Sequence, residues 1–328
     1  MRRLSLCLAV TVVGLVAVPR TLADGPIYVT VGGAGVTSHD GAARYVAVPT
    51  GKRGTLLEKI GVAQGRVFWW MRLRGSWGTP EIGTGTLTGQ GFSRDGRTLV
   101  LASTSGPFAS PSRFLVVDPK RAKILRTVML PGSFSFDAIS PDGSLMYLIQ
   151  YTHAGSNDLV HYIVRGYDLR TNRLVPGKIA DRREDEGPMA GYALTRTTSA
   201  DGRWVYTLYQ KPNGEPFVHA LDTVRAAAYC VDLPSSPQTN QALANVVLSL
   251  RNHDGTLAVH WRSGRPWLNV AVGSWQVSLP GVAGFPWAWV GGGIGGGLVL
   301  LCVGGALFLR RRRGKKLHEQ AGHEIGLA

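Results

Sequence analysis

From residue 40 onward, five Asp-Gly pairs divide the chain into periods of similar length. They begin at Asp40, Asp95, Asp142, Asp201 and Asp254, so the separations are 55, 47, 59 and 53 residues. Strand-forming residues follow each pair, and the fifth position after each Asp holds a tyrosine or a valine. Because glycine adopts positive φ at low cost, Asp-Gly between two apolar runs predicts a β-hairpin in every period.

Further hairpins fill each period. Three of them turn at Asp118–Arg121, Leu169–Asn172 and Gly273–Ser274, each between two runs of strand-forming residues. About four short strands per period of roughly 50 residues, repeated five times, is typical of propeller blades. The pattern predicts an all-β fold, a β-propeller of about five blades over residues 24–283.

Two of the periods carry a run that resembles a known family. The segments 93–101 (SRDGRTLVL) and 139–148 (ISPDGSLMYL) are similar to the S-P-D-G-x-x-L-Y-V run of YVTN-type and WD-like propellers. The resemblance covers roughly residues 27–279, and His39 and His253 depart from it where proline is usual. It implies a propeller in which Ile27–Val31 is a last strand that closes the ring. It implies no single function, because propellers serve as hydrolases, receptors and scaffolds.

The N-terminus has the pattern of a secretory signal peptide. Arg2 and Arg3 precede an apolar run of about 15 residues, and Thr21-Leu22-Ala23 places small residues before a cleavage point ahead of Asp24. The sequence therefore predicts removal of residues 1–23. The alternative, an uncleaved anchor, is less favoured because the run is short for a membrane span.

The C-terminal region predicts a single transmembrane helix over residues 287–309. This stretch has no charged residue, and six basic residues follow within 310–316. The positive flank predicts a cytoplasmic tail of residues 310–328 and an N-terminal domain outside a cell membrane.

Glycines at four-residue spacing lie inside the predicted span. Small residues at this spacing let two helices approach closely, which favours a homodimer through the span. The alternative is a span that is merely glycine-rich. The pairs are Gly291 with Gly295, Gly292 with Gly296, and Gly293 with Gly297.

Without its two ends the chain has only a moderate net charge, which excludes few classes of function. The whole sequence has 36 basic and 21 acidic residues, and its predicted outer domain has 27 and 19, a net charge of +8. These basic residues are scattered, whereas nucleic-acid binding requires a concentrated patch. A mildly cationic surface instead favours an acidic envelope polymer or lipid headgroups. Cys230 is the one cysteine of this domain, so no internal disulfide is expected.

One set of polar residues is predicted near the propeller axis. The fifth residue before each Asp-Gly pair is Gly35, Gln90, Asp137, Arg196 or Ser249. In the related propellers this stretch is the innermost strand, so the resemblance implies that these side chains lie near the central channel. Gln90, Asp137, Arg196 and Ser249 are candidate ligand-binding residues. The alternative is that Asp137 and Arg196 pair only with each other in a structural channel.

A second candidate is the aromatic run of residues 66–74. Alternation in a strand places Val67, Trp69, Met71 and Leu73 on one face and Phe68, Trp70, Arg72 and Arg74 on the other. Tryptophan and arginine are enriched at protein interfaces, so Trp70, Arg72, Arg74 and Trp77 are interface candidates. The alternative is that this strand is packed between two blades.

The sequence favours a binding or scaffold module over an enzyme. The predicted tail of 19 residues is too short for an effector domain, and no motif indicates a cofactor. The partner would be an unknown extracytoplasmic protein or an envelope polymer. The competing hypothesis is a metal-assisted hydrolase or lactonase-like enzyme at the axis. Such a site needs several carboxylates or histidines, and the axial positions supply Asp137 alone.

Overall fold

The computed structural model describes residues 28–51, 53–82, 88–106, 108–154, 160–184 and 188–280. In this part of the chain almost all regular structure is β. The strands, in chain order, are β1 (Tyr28–Thr30), β2 (Val36–Thr37), β3 (Ala43–Pro49), β4 (Gly54–Gly61), β5 (Val67–Arg74), β6 (Trp77–Ile82), β7 (Thr88–Gly89), β8 (Leu99–Ser103), β9 (Ser112–Asp118), β10 (Lys123–Leu130), β11 (Phe134–Ile139), β12 (Leu145–Ala154), β13 (Val160–Asp168), β14 (Arg173–Leu174), β15 (Met189–Ala190), β16 (Tyr192–Thr198), β17 (Trp204–Gln210), β18 (Pro216–Asp222), β19 (Ala227–Asp232), β20 (Val246–Arg251), β21 (Thr256–Trp261), β22 (Pro266–Ala271) and β23 (Val277–Ser278).

The strands form five antiparallel sheets. Sheet 1 has the order β2-β3-β4-β5, sheet 4 the order β16-β17-β18-β19, and sheet 5 the order β20-β21-β22-β23. Sheet 3 runs β11-β12-β13-β14 with β15 added to β13, and sheet 2 runs β1-β6-β8-β9-β10 with β7 added to β6. One short helix, α1 (Pro237–Ala242), and a 3-10 turn (Leu243–Asn245) connect sheets 4 and 5. The predicted all-β fold, with a hairpin in every period, is confirmed.

The sheets pack face to face in chain order, because both faces of their central strands are apolar. In β8, Leu99 and Leu101 pack against sheet 1, whereas Val100 and Ala102 pack against sheet 3. Similar buried clusters join sheet 3 to sheet 4 and sheet 4 to sheet 5. A strand that is buried on both faces gains apolar burial on each side, at roughly 25 cal/mol per Å². Packing between sheets therefore provides most of the core.

The Asp-Gly pairs form the turn that enters the second strand of sheets 1, 3, 4 and 5, and the turn that enters β8 of sheet 2. In sheets 1 to 4 a serine two positions before the Asp donates its hydroxyl to the carboxylate, at 2.5–2.6 Å. The same carboxylate accepts the backbone N–H two residues later. Sheet 5 has Asn252 in place of the serine, and Asp254 instead accepts the N–H of Ala200 from sheet 4. That turn therefore also links two sheets.

We predict that these turns make the fold sensitive to acid. Burial is the strongest influence on Asp142 and Asp201 and by itself raises their pKa, but hydrogen bonds from serine and backbone N–H groups outweigh it and lower the pKa of both. A carboxyl with a lowered native pKa stabilises the fold fully above its unfolded pKa of about 3.9, and this contribution is lost as the pH falls through the native pKa. In urea unfolding below about pH 4, Asp142→Asn/Asp201→Asn should flatten the pH dependence. An unchanged slope would contradict the role of these turns.

The N-terminal strand lies elsewhere than predicted. The expectation that residues 27–31 close the ring on the last sheet is wrong, because β1 pairs with β6 of sheet 2, with Val29 opposite Pro80. The hydroxyl of Thr30 donates to the buried carboxylate of Glu81 at 2.6 Å, which fixes this pairing. Glycine at position 78 permits the approach, since a Cβ there would lie 2.4 Å from the carbonyl oxygen of Thr30.

The predicted features of the two chain ends fall outside the described residues. They are the signal peptide of residues 1–23, the span of residues 287–309 and the tail of residues 310–328. Among the residues that the structure does describe, no helix has the length and hydropathy required to cross a membrane.

The glycines of the predicted transmembrane contact lie in the same undescribed segment. A homodimer through the span therefore stays a prediction. The six positions are Gly291, Gly292, Gly293, Gly295, Gly296 and Gly297.

Candidate functional site

The structure brings together two of the four predicted axial residues. Arg196 on β16 donates to the carboxylate and to the backbone carbonyl of Asp137 on β11, and its Nε donates to the hydroxyl of Thr207 at 2.8 Å. Both charged side chains are almost fully buried, at 3% and 2% exposure. Sheets 3 and 4 are therefore joined by a buried ion pair near their inner edges. Because the Arg196 guanidinium is bonded to the Asp137 carboxylate, that carboxylate is not available to a ligand or a metal.

The ion pair belongs to a longer row of polar residues. Strand pairing aligns Arg196 with Thr207, Thr207 with His219, and His219 with Cys230, across the whole width of sheet 4. Nδ1 of His219 lies 3.8 Å from the Cys230 sulfur. Burial lowers the pKa of His219, so this imidazole is neutral at physiological pH. The row is therefore a set of buried polar residues and not the lining of an open channel.

The remaining axial positions lie in sheets 1, 2 and 5. Ser249 on β20 forms a 3.1 Å hydrogen bond with Nε2 of His260 inside sheet 5. Gln90 follows β7, and its backbone N–H donates to the carbonyl of Pro80 at 2.7 Å. Gly35 lies next to β2 with φ of +64°. Ligand binding by Gln90, Asp137, Arg196 and Ser249 as one group stays a prediction.

The predicted aromatic strand is an outer edge strand. Leu73 is buried against sheet 2, while Trp70, Arg72 and Arg74 of β5 are exposed, as the alternation predicts. The prediction of Trp77 as an interface residue is corrected. Trp77 lies in β6, is 6% exposed and donates its indole N–H to the carbonyl of Arg74 at 2.6 Å. It is a core residue because β6 turns back across the face of sheet 1.

Phe68 also departs from strict alternation. The register between β4 and β5 shifts between Lys59 and Ile60, which leaves Phe68 as an extra residue. Such a bulge re-aims a side chain. Phe68 packs over Gly61, where a Cβ would meet the ring at 2.6 Å, and it lines a groove between sheets 1 and 2.

This inter-sheet groove is the best candidate for a ligand site. It is open to solvent, has a volume of about 480 Å³, and lies beside the Asp-Gly turns of sheets 1 and 2. A volume of this size suits a small ligand or a few units of a polymer. Four rings and five charged groups line it: His39, Tyr45, Phe68, Phe92, Lys59, Arg94, Lys120, Asp40 and Asp95.

Aromatic contacts order one side of the groove. Tyr45 and Phe92 stack with their centroids 5.2 Å apart, and His39 lies 5.6 Å from Phe92. Burial raises the pKa of Tyr45 to about 12, so its hydroxyl stays protonated. Burial first, and then the charge of Arg94, lowers the pKa of His39. Tyr45 is only 3% exposed and supports Phe92 from the core. The ring faces on which an apolar ligand face can stack are therefore those of His39, Phe68 and Phe92.

The charged groups of the groove are not equally available to a ligand. Asp40 and Asp95 accept hydrogen bonds from Ser38 and Ser93 within their turns. Nζ of Lys59 lies over the Tyr45 ring, 5.9 Å from its centroid. Nζ of Lys120 donates to the backbone carbonyl of Asp95 at 3.1 Å and retains further N–H groups. Three cations and two carboxylates thus line the groove, a net charge of +1, and an anionic ligand is favoured at the cationic groups.

Sequence reasoning did not identify this groove. Its cations come from β4, from the turn before β8 and from the turn before β10, and their approach depends on how two sheets face each other. The available signal was positional, because Asp40 and Asp95 are the turn residues of adjacent periods.

A second cavity, of about 550 Å³, lies between sheets 3 and 4 at their outer edges. Beside it, ligand atoms of Asp181, Glu184 and Cys230 approach within 4.8 Å of one another. Arg183 donates to both oxygens of Asp181, and the backbone N–H of Cys230 donates to the same carboxylate. Burial, and then the charges of Glu184 and Asp181, raises the pKa of the Cys230 thiol well above its usual value. The thiol is therefore protonated, and Asp181 is committed to structural contacts.

Comparisons with known proteins give a likeness of shape only. No protein family and no curated protein matches the sequence. Among solved structures, the Cps50 (Swd1) β-propeller domain of Myceliophteria thermophila has a TM-score of 0.43 at 11% identity, over 80% of this chain and 73% of that one. Hydrazine synthase of Kuenenia stuttgartiensis gives 0.39 at 16%, over 73% and 74%, and TolB of Acinetobacter baumannii gives 0.41 at 14%, over 74% and 54%. At these TM-scores we base the function on the groove alone.

Proposed function

We propose that this protein is a membrane-anchored, extracytoplasmic five-bladed propeller that binds an acidic ligand, with the inter-sheet groove as its site. Five antiparallel sheets pack face to face in chain order, and this arrangement supports a propeller of five blades. Each end of the sequence contains an apolar run, and six basic residues follow the second run. This pattern supports a domain outside the membrane that is held by one span.

One observation carries the ligand class, namely three cationic groups around an aromatic surface. Lys59, Arg94 and Lys120 offer N–H donors for carboxylate or phosphate groups, and charge-assisted hydrogen bonds are about twice as strong as neutral ones. Phe68, with 46% exposure, offers a ring face beside them. Sugars with acidic groups combine an apolar ring face with an anion, so an acidic envelope polysaccharide fits both features.

An enzyme that uses the axis has less support. Its catalytic or metal-binding carboxylate would be Asp137, which already pairs with Arg196 inside the interface of sheets 3 and 4. A reaction there would first have to break a buried ion pair. Binding at the open groove requires no such rearrangement.

A thermal-shift screen tests the ligand class. We expect uronic-acid oligosaccharides to stabilise the full-length protein in detergent, by roughly 2.7 kcal/mol at about 100 times the dissociation constant. Neutral oligosaccharides of the same length should give no shift, because they lack the anion. Equal shifts with both, or no shift with any acidic compound, would contradict the proposal.

A further inference from the structure

The outer strands of sheets 1 and 2 form an exposed surface that shares only Phe68 with the groove. We call β5 and β10 together the basic rim, since each is the outermost strand of its sheet. Their sequences, VFWWMRLR and KILRTVML, contain four basic residues and no acidic one. Sheets 1 and 2 pack directly against each other, so β5 and β10 are the outer strands of two consecutive sheets.

The basic rim is also unusually apolar. Of the eleven large hydrophobic residues that are exposed in the described part of the chain, six lie on these two strands. Trp70 is 61% exposed and Met129 is 65% exposed. An exposed apolar edge strand is prone to aggregation, and proteins normally avoid it. Concentration of this surface on the outer strands of two consecutive sheets indicates a partner that is both apolar and anionic.

We propose that the basic rim lies against an anionic lipid surface. Tryptophan beside arginine is typical of side chains at the boundary between headgroups and acyl chains. A second copy of this chain fits less well, because a symmetric contact would place the arginines of one rim against those of the other. An acidic polysaccharide could stack on Trp70 beside Arg72 and Arg74, but it would leave the exposed aliphatic side chains of the two strands, among them Met129, in water.

The position of the chain end supports this partner, and here the inference rests on the proposed anchor. The last strand, β23, is the outer strand of sheet 5 and ends at Ser278. The predicted span begins at residue 287, which is nine residues further on (287 − 278), and nine residues extend to at most about 30 Å. The outer edge of sheet 5 is therefore tethered within about 30 Å of the bilayer.

Hydrogen exchange on the full-length protein in lipid nanodiscs tests the inference. Phosphatidylglycerol added to phosphatidylcholine should slow amide exchange in residues 67–74 and 123–130. Each basic side chain near an anionic surface raises the equilibrium constant of the contact about fivefold. Arg72→Gln/Arg74→Gln should therefore reduce the slowing of amide exchange about 30-fold or abolish it. The matched control is Arg225→Gln/Arg262→Gln, two exposed residues in turns of sheets 4 and 5, and it should behave as wild type.

Three results would overturn the inference. The first is equal protection in neutral and anionic nanodiscs. The second is protection that rises with protein concentration in detergent without lipid, which would indicate a second copy. The third is protection by a soluble uronic-acid polymer in place of lipid. Alkaline carbonate extraction tests the anchor separately, and a chain that it releases can be assayed with free anionic vesicles.

Discussion

Replacing Arg196 with methionine is expected to lower the free energy of unfolding by about 3–5 kcal/mol, because it leaves the carboxylate of Asp137 buried without its partner. Arg196 also donates to the carbonyl of Asp137 and to Thr207, so two further acceptors lose a hydrogen bond. Urea unfolding followed by circular dichroism measures the change.

Two comparison variants separate the buried charge from the loss of packing. Asp137→Leu/Arg196→Met should cost less than Arg196→Met alone, since no unpaired charge remains in the interface. Lys211→Met breaks the exposed pair with Asp232, whose side chain is 67% exposed, and should cost about 0–1 kcal/mol. If Arg196→Met also costs less than about 1 kcal/mol, the pair is solvated, as an open channel would require.

Replacing Gly35 with alanine should also destabilise the fold strongly, by about 2–4 kcal/mol in total. Its φ of +64° is strained for any residue with a Cβ. In addition, the new Cβ would lie 2.1 Å from the backbone oxygen of Tyr45, so β2 and β3 would have to separate. Tyr45 belongs to the core between sheets 1 and 2, and that core would loosen as well.

Gly41 provides a matched control for this substitution. It has a similar φ of +70° in the same sheet, and a Cβ there would meet nothing within 4 Å. Gly41→Ala should therefore cost only about 1 kcal/mol from backbone strain. Equal costs at the two positions, measured by urea unfolding, would show that the close approach of Gly35 to Tyr45 is unimportant.

Much of the fold follows from local sequence signals. Asp-Gly between strand formers predicts the turns because hairpin geometry is local, and the turns at Asp118 and Leu169 appear where the pattern places them. The contact between Asp137 and Arg196 was also predictable, because a repeat places equivalent residues of consecutive sheets side by side.

Features that depend on distant contacts were not predictable. The pairing of β1 with β6 depends on the bond between Thr30 and Glu81, which are 51 residues apart. Trp77 looked like part of an exposed aromatic run, but the chain enters β6 there and the indole turns inward. The groove combines Lys59 with Lys120, whose proximity depends on the packing of two sheets. Periodicity along the chain contains no information on such contacts.

A binding titration with groove variants tests the central claim most directly. Wild-type full-length protein should bind a uronic-acid oligosaccharide and not a neutral one of the same length. Lys59→Gln/Lys120→Gln should weaken this binding about a hundredfold, since each charge-assisted hydrogen bond contributes about 1.5 kcal/mol. Lys123→Gln/Lys178→Gln, which alters the basic rim and the second cavity instead, should bind like wild type. Unchanged affinity in the groove variant, or an equal loss in the control, would contradict the assignment of this groove as the ligand site.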